Sequence, residues 1–206
     1  MSETLTKPEF SRIGVAGVGG IGGYLVRNLF DYGARRSQFD FSGCSIDIYD
    51  NDVVDITNTL HQDFTEEDVG KYKVDVVADR CLSLVNPFKR FMEEKDFKNY
   101  DVIFSAVDSM TFRKSLYEYG FKHPELFWID GRCSSRQVGL FHSKLGQKAL
   151  EKHINDSKER TGCLLAYDKK AKTSHVTPQI IAGMMTQTFL NYLRQDLQLD
   201  PILVIV

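Results

Sequence analysis

Six residues, Gly17-Val18-Gly19-Gly20-Ile21-Gly22, follow directly on the apolar run Ile13-Gly14-Val15-Ala16. An apolar run this short reads as a buried strand. A strand that feeds a glycine turn and then an apolar helix, from about Ile21 to Phe30, opens a parallel α/β unit. Gly17 permits the tight bend, Gly19 lets the backbone approach a phosphate, and Gly22 lets the helix lie close to the strand. The N–H groups at the helix start, with the positive end of its dipole, suit an anion. The pattern places a nucleotide phosphate near residue 19 without naming the nucleotide.

The 206 residues, 42% of them hydrophobic, can bury a substantial core, and one domain over residues 1–206 is expected. A formal net charge of −2 offers no basic footprint for nucleic acid. No apolar run reaches the roughly 18 residues that span a bilayer, and Met1 to Phe10 lacks the apolar region of a secretory signal. A cytoplasmic protein with neither nucleic-acid nor membrane partner is the expectation. The four cysteines, Cys44, Cys81, Cys133 and Cys163, form no Cys-x-x-Cys pair. Neither a zinc ribbon nor a disulfide framework is expected from them, and Cys81 reads as a small core residue.

Strand and helix signals alternate along the chain, which argues for a Rossmann-like, mostly parallel sheet with helices on both faces. Cys44 to Tyr49 alternates as a second strand, and Asp50 to about Glu67 reads as a polar loop. Apolar positions Val74, Val77, Cys81 and Val85 predict a helix over 69–85, ended by Asn86-Pro87. A weak strand is signalled at Phe88 to Met92 and a clear one at Val102 to Val107. A helix over 110–121 comes next, then strands at 127–129 and 138–141. Lys144 to Arg160 reads as a solvated helix. Pro178 opens a last strong helix through Leu193, and 202–206 looks like a strand with no evident partner.

Ligands of an open parallel sheet sit beyond the carboxyl ends of its strands. That rule gathers the glycine turn, Asp50 at the end of the second strand, and Asp108 past the strand at 102–107. Asp50 can accept bonds from ribose hydroxyls, or simply shape a turn in Asp50-Asn51-Asp52. Asp108 can face phosphates across a Mg²⁺ ion, or cap the helix that follows, a role Ser109 could also fill.

The segment from Tyr49 to Lys73 sharpens this. Asp50-Asn51-Asp52 leads to Thr57-Asn58-Thr59-Leu60-His61-Gln62, then Phe64-Thr65-Glu66-Glu67-Asp68-Val69-Gly70-Lys71-Tyr72-Lys73. It resembles the ATP-binding half of the ThiF/MoeB/ubiquitin-activating superfamily, where Asp-x-Asp precedes Ser-Asn-Leu-x-Arg-Gln and Phe-x-x-x-Asp-[Val/Ile]-Gly-x-x-Lys. The double-glycine turn, with Gly20 as its added glycine, has that family's form. Val107-Asp108-Ser109 with Arg113 is similar to its Asp-Asn-x-x-x-Arg segment. Phe127 to Arg132 looks like a strand of smaller, phage-type members. The resemblance covers roughly residues 10–140, with a C-terminal extension over 141–206.

The resemblance implies ATP and Mg²⁺ as cofactors and adenylation of the C-terminal carboxylate of a small ubiquitin-like or sulfur-carrier protein, in a homodimer. Carried over, Asp50 lies at the ribose, Asn58 at the phosphates or metal and Lys73 on the phosphates, with Asp52 among the nucleotide-binding residues and His61 among the catalytic ones. Asp108 is the metal ligand, with Gln62, Arg113 and Gly17, Gly19, Gly20 and Gly22 around the nucleotide. A lysine and a metal would neutralise the triphosphate against an attacking carboxylate. His61 stands where the family has arginine and Ser109 where it has asparagine; Arg12 is the nearest basic residue ahead of the glycine turn. These departures leave a second reading open, an ATP-binding scaffold without efficient turnover. A nicotinamide-dependent dehydrogenase shares only the glycine turn. Cys163, with apolar neighbours, reads as structural rather than as a thioester-forming thiol, and His175 as a loop residue.

Overall fold

A computed structural model describes residues 11–35, 43–82, 84–134, 137–148, 150–151, 176–197 and 202–205. The chain runs β1 (Arg12–Ala16), α1 (Gly20–Phe30), β2 (Ser45–Tyr49), α2 (Lys73–Arg80), β3 (Val85–Phe88) and α3 (Glu94–Phe97). It continues through β4 (Val102–Ser105), α4 (Met110–Lys122), β5 (Phe127–Ser134), β6 (Gln137–His142), α5 (Thr177–Leu193) and β7 (Ile202–Ile205). These strands form one sheet in the order β3-β2-β1-β4-β5-β6-β7. The first five are parallel, and β6 and β7 are added antiparallel. The expected Rossmann-like α/β sheet is present, and the strand at its C-terminal end has its partner in β6.

The central strands are apolar almost throughout because both of their faces are covered. Ile13, Val15, Phe104 and Ile129 point into a core shared with α1, α2 and α5. Ile103, Trp128 and Phe141 point into a second core shared with α3 and α4. Phe104 meets Phe189 of α5 edge to face, with ring centroids 5.4 Å apart. Each such fully buried side chain contributes roughly 1.5–3 kcal/mol by leaving water. The two cores hold the sheet rigid between helices, so the loops at its carboxyl edge have a fixed base.

The helix predicted over 69–85 divides. Gly70 has φ +88°, outside the helical region, and Val53 pairs with Tyr72 in an antiparallel bridge. These hold the chain extended until Lys73, so α2 spans only Lys73–Arg80. Val85 then belongs to β3 rather than to the helix, and β3 precedes the expected 88–92 position. Asn86-Pro87 lies inside that strand instead of ending a helix. Proline is accommodated there because β3 is the sheet's edge and one N–H is not needed for pairing. The stretch from Asp50 to Glu67 holds a short 3₁₀ helix, Ile56–Leu60, that the polar pattern does not disclose. Cys163, His175 and most of 144–160 lie outside the described residues. No helix among the described residues is long and apolar enough to cross a membrane.

Candidate functional site

The glycine turn leaves the carboxyl end of β1, and its geometry follows from close contacts. Gly17 has φ +83°, and a Cβ there would lie 2.9 Å from the Ala106 carbonyl oxygen. A Cβ on Gly22 would lie 1.9 Å from the Gly17 carbonyl oxygen. Both positions require glycine to close strand, turn and helix together. Gly19 and Gly20 differ: an added Cβ would sit 3.5 Å from Gln62 Oε1 and 3.7 Å from Pro178, which are ordinary contacts. Among the described residues no side chain caps the start of α1, so its first N–H groups suit an anion.

Asp50 fastens this turn to β2. One carboxylate oxygen accepts the Val18 N–H at 2.9 Å, and the other accepts the Asp52 N–H at 2.9 Å. The Gly17 N–H donates to the Tyr49 carbonyl at 2.8 Å. Asp50 is buried, and burial pushes its carboxyl above the usual range, opposed by these two N–H groups and by the charge of Lys73. The expected acid is therefore in place at the end of β2, and it also does the structural work of a turn.

Lys73 opens α2 with a buried side chain, and its Nζ is 2.8 Å from the exposed carboxylate of Asp52. Its N–H donates to the Asp52 carbonyl at 3.0 Å. The lysine expected at the phosphates is thus already partnered by the second acid of Asp50-Asn51-Asp52. Asn58 completes a capping box: Asp55 accepts the Thr57 N–H, and Asn58 Oδ1 accepts the Asp55 N–H at 3.0 Å. That local lock shapes the 3₁₀ helix and leaves half-buried His61 at its end. Gln62 lies over Gly19, its Oε1 buried and without a hydrogen-bond partner among the described residues. His61 Nε2 is 3.4 Å from Gln62 Nε2.

At the end of β4 the choice between cap and ligand is settled in part. Ser109 Oγ accepts the Phe112 N–H at 3.2 Å and caps α4. Asp108, one residue earlier, is exposed, and the helix start does not need its carboxylate. Among the described residues no cluster of three or more histidine, cysteine or acidic side chains could hold a metal by itself. The donor set fits Mg²⁺ nonetheless, since that ion is commonly held by one or two carboxylates together with substrate phosphates and water.

Arg113 reaches the site through the backbone. It donates to the Val107 carbonyl, beside Asp108, and its Nε donates to Asp130 Oδ1 at 3.0 Å. Asp130 is fully buried and collects four side-chain donors. Ser105 Oγ lies at 2.7 Å and Arg113 Nε at 3.0 Å on one oxygen, with Tyr117 OH at 2.5 Å and Arg132 Nε at 2.8 Å on the other. Burial opposes ionisation, but the two guanidinium groups outweigh it and hold the carboxyl below its ordinary range. Sequence reasoning did not single out Asp130, Arg132 or Tyr117 as functional. The available signal was the i, i+2 spacing of Asp130 and Arg132, which puts both on one face of a strand. Arg12 begins β1 and pairs with Asp47 at 2.9 Å, at the opposite end of the strand from the glycine turn.

Among solved structures the chain is similar to PaaA, at 17% identity and a TM-score of 0.66, over 95% of this chain and 61% of that one. It is also similar to E. coli MccB with ATP, at 15% identity and a TM-score of 0.66, over 95% and 60%. A third is E. coli MccB with AMPCPP and MccA, at 16% identity and a TM-score of 0.66, over 95% and 60%. At these identities the likeness is one of fold, and the chain spans about three fifths of the length of these proteins. No curated protein sequence matches it. A family model does match, over residues 2–203, and the chain belongs to the ThiF family.

Proposed function

We propose that this protein binds ATP along the carboxyl edge of its sheet and adenylates a terminal carboxylate of a small protein or peptide. The observation that carries the reading is the line of groups along that edge. Asp50 stands at the end of β2, the uncapped glycine turn at the end of β1, and Asp108, released from helix capping by Ser109, past the end of β4. A nucleotide laid across these strands meets a ribose acceptor, backbone donors for phosphate and a carboxylate for a cation, in that order. The solved structures of MccB with ATP, and with AMPCPP and MccA, support the same reading. A small ubiquitin-like or sulfur-carrier protein is the expected partner, acting with a homodimer.

In this reaction a carboxylate oxygen attacks the α-phosphorus, the bond to the β-phosphate oxygen breaks, and pyrophosphate leaves with the electron pair. No proton is required. The obstacle is repulsion between anions, so the site's work is neutralisation and alignment. The N–H groups of the glycine turn hold phosphate. Lys73 exchanges the Asp52 carboxylate for phosphate oxygens, and Asn58 and Gln62 orient the chain around them. Asp108 would hold Mg²⁺, which supplies further positive charge to the phosphates when bound. Arg113 fixes the loop that carries Asp108.

The test is exchange of labelled pyrophosphate into ATP with Mg²⁺ and a small protein ending in Gly-Gly. Exchange that depends on both is expected. Tight ATP binding with no exchange for any such partner would overturn the catalytic reading and favour a nucleotide-binding scaffold. The closed Lys73–Asp52 pair and His61 in place of arginine are the observations that favour that second reading. In that case His61→Arg should raise exchange. The dehydrogenase alternative rests on the glycine turn alone.

A further inference from the structure

β5 is longer than its parallel neighbour. Ser105, the last residue of β4, is aligned with Asp130, and Gly131 to Ser134 continue past it, paired only with β6. Arg132 lies on this overhang, on the same face as Asp130 and level with the loop that leads to Asp108. One guanidinium, that of Arg113, links Asp130 to the Val107 carbonyl, so the overhang and the Asp108 loop share a single buried cluster.

The charge of that cluster does not balance. Two guanidinium groups, Arg113 and Arg132, meet one carboxylate, Asp130, and the hydroxyls of Tyr117 and Ser105 are neutral. One positive charge is left over in a largely desolvated place. Arg113 spends its donors inward, on Asp130, Val107 and the Met110 sulfur. Arg132 uses Nε on Asp130 and one Nη2 donor on Tyr117, and its Cζ lies over the Phe141 ring, 4.6 Å from the centroid. Among the described residues its Nη1 donors have no hydrogen-bond acceptor. Its side chain keeps 18% exposure, so the guanidinium cluster is not sealed from water as Asp130 is. Such a held, surplus guanidinium suits a carboxylate, which it can meet with two parallel N–H bonds.

We propose that Arg132 anchors the substrate's terminal carboxylate, the surplus guanidinium of the Asp130 cluster receiving it on the β5 overhang, one strand beyond Asp108. The proposal rests on the adenylation reading above. It extends the line of groups by one step: ribose at β2, phosphates at β1, metal at β4 and acyl group at β5. Asp130 and Tyr117 are positioning residues that hold the guanidinium plane.

The test uses the Nε–Hε resonances of ¹⁵N-arginine-labelled protein, with the Arg132 signal assigned by its loss in Arg132→Lys. In saturating AMPCPP and Mg²⁺, N-acetyl-glycylglycine is titrated beside its C-terminal amide. The free acid should shift the Arg132 signal and the amide should not. In Arg132→Met, AMPCPP affinity should stay within about twofold, while the free-acid affinity read from backbone amides falls by 10-fold or more. Arg132→Lys, which keeps the charge but not the paired donors, should fall between, and it serves if the methionine variant does not fold. A signal unmoved by the acid, or moved equally by the amide, overturns the assignment. A signal moved as far by AMPCPP alone makes Arg132 a phosphate contact and also overturns it. Failure of AMPCPP to bind at all would instead bring down the adenylation reading, and this inference with it.

Discussion

Two buried carboxylates sit near the carboxyl edge of the same sheet, and they are held in opposite ways. Asp130 receives two guanidinium groups and two hydroxyls, and its charge is stabilised below the ordinary range. Asp50 receives two backbone N–H groups, with its nearest lysine bonded to Asp52, and burial leaves its charge disfavoured. The first is a buried knot that joins β4, α4 and β5. The second is an acid whose partners hold its position without fully satisfying its charge. A nucleotide site draws on both: rigid ground on one side, and on the other a fixed carboxylate that can accept ribose hydroxyls.

The largest effect that could break this contrast is Asp130→Ala. Removing the one acid leaves Arg113 and Arg132 buried without a counter-charge, and a loss of about 3–5 kcal/mol is expected, read as a lower urea midpoint. A loss under about 1 kcal/mol would show that the knot relaxes freely. Asp50→Ala should cost less, about 1–3 kcal/mol, because it strands neutral N–H donors rather than charges. It should also weaken ATP binding while leaving the Mg²⁺ requirement unchanged; unaltered ATP affinity would reduce Asp50 to a turn former.

Acid titration separates the two in sign. Because the folded value of Asp130 lies below that of the unfolded chain, its stabilisation is present above about pH 4 and is lost as pH falls through the folded value. Asp47, Asp68 and Asp96 act in the same direction. Asp50 acts in the other: its folded value lies above the unfolded one, so its ionisation takes stability away as pH rises between them. Asp50→Asn should therefore gain on the parent protein as pH rises through that window, seen in denaturation midpoints from pH 3 to 7. A difference that does not change with pH would show that Asp50 is not disfavoured by burial.

The smallest stability effects fall on the neighbours Ser109 and Asp108. Ser109→Ala removes the α4 cap, for about 1 kcal/mol. Asp108→Ala should lie within about 0.5 kcal/mol of the parent protein, while Mg²⁺-dependent pyrophosphate exchange falls 100-fold or more. The reverse ranking of these two in stability would return Asp108 to the role of cap.

The groups legible in the sequence are those whose geometry is local. The glycine turn, the position of Asp50 and the alternation of strands with helices follow from short patterns, since each rests on steric limits over a few residues. The Asp130 knot draws on Ser105, Arg113 and Tyr117, which are 25, 17 and 13 residues away, and no spacing rule links a strand acid to a helix arginine at those distances. The helix over 69–85 is misread for a related reason. Its apolar spacing is genuine, but the Val53–Tyr72 bridge and the φ of Gly70 decide where helical backbone can begin. Likewise the Lys73–Asp52 pair forms across 21 residues, so its closure is seen only in three dimensions.

The four glycines of the turn answer to different constraints. The chain's own atoms forbid a methyl group at Gly17 and Gly22, whereas at Gly19 and Gly20 an added Cβ would make only ordinary contacts. Alanine substitutions along the turn therefore ask separate questions. Positions 17 and 22 report whether strand, turn and helix can close at all, and position 20 reports what lies against the turn once they have.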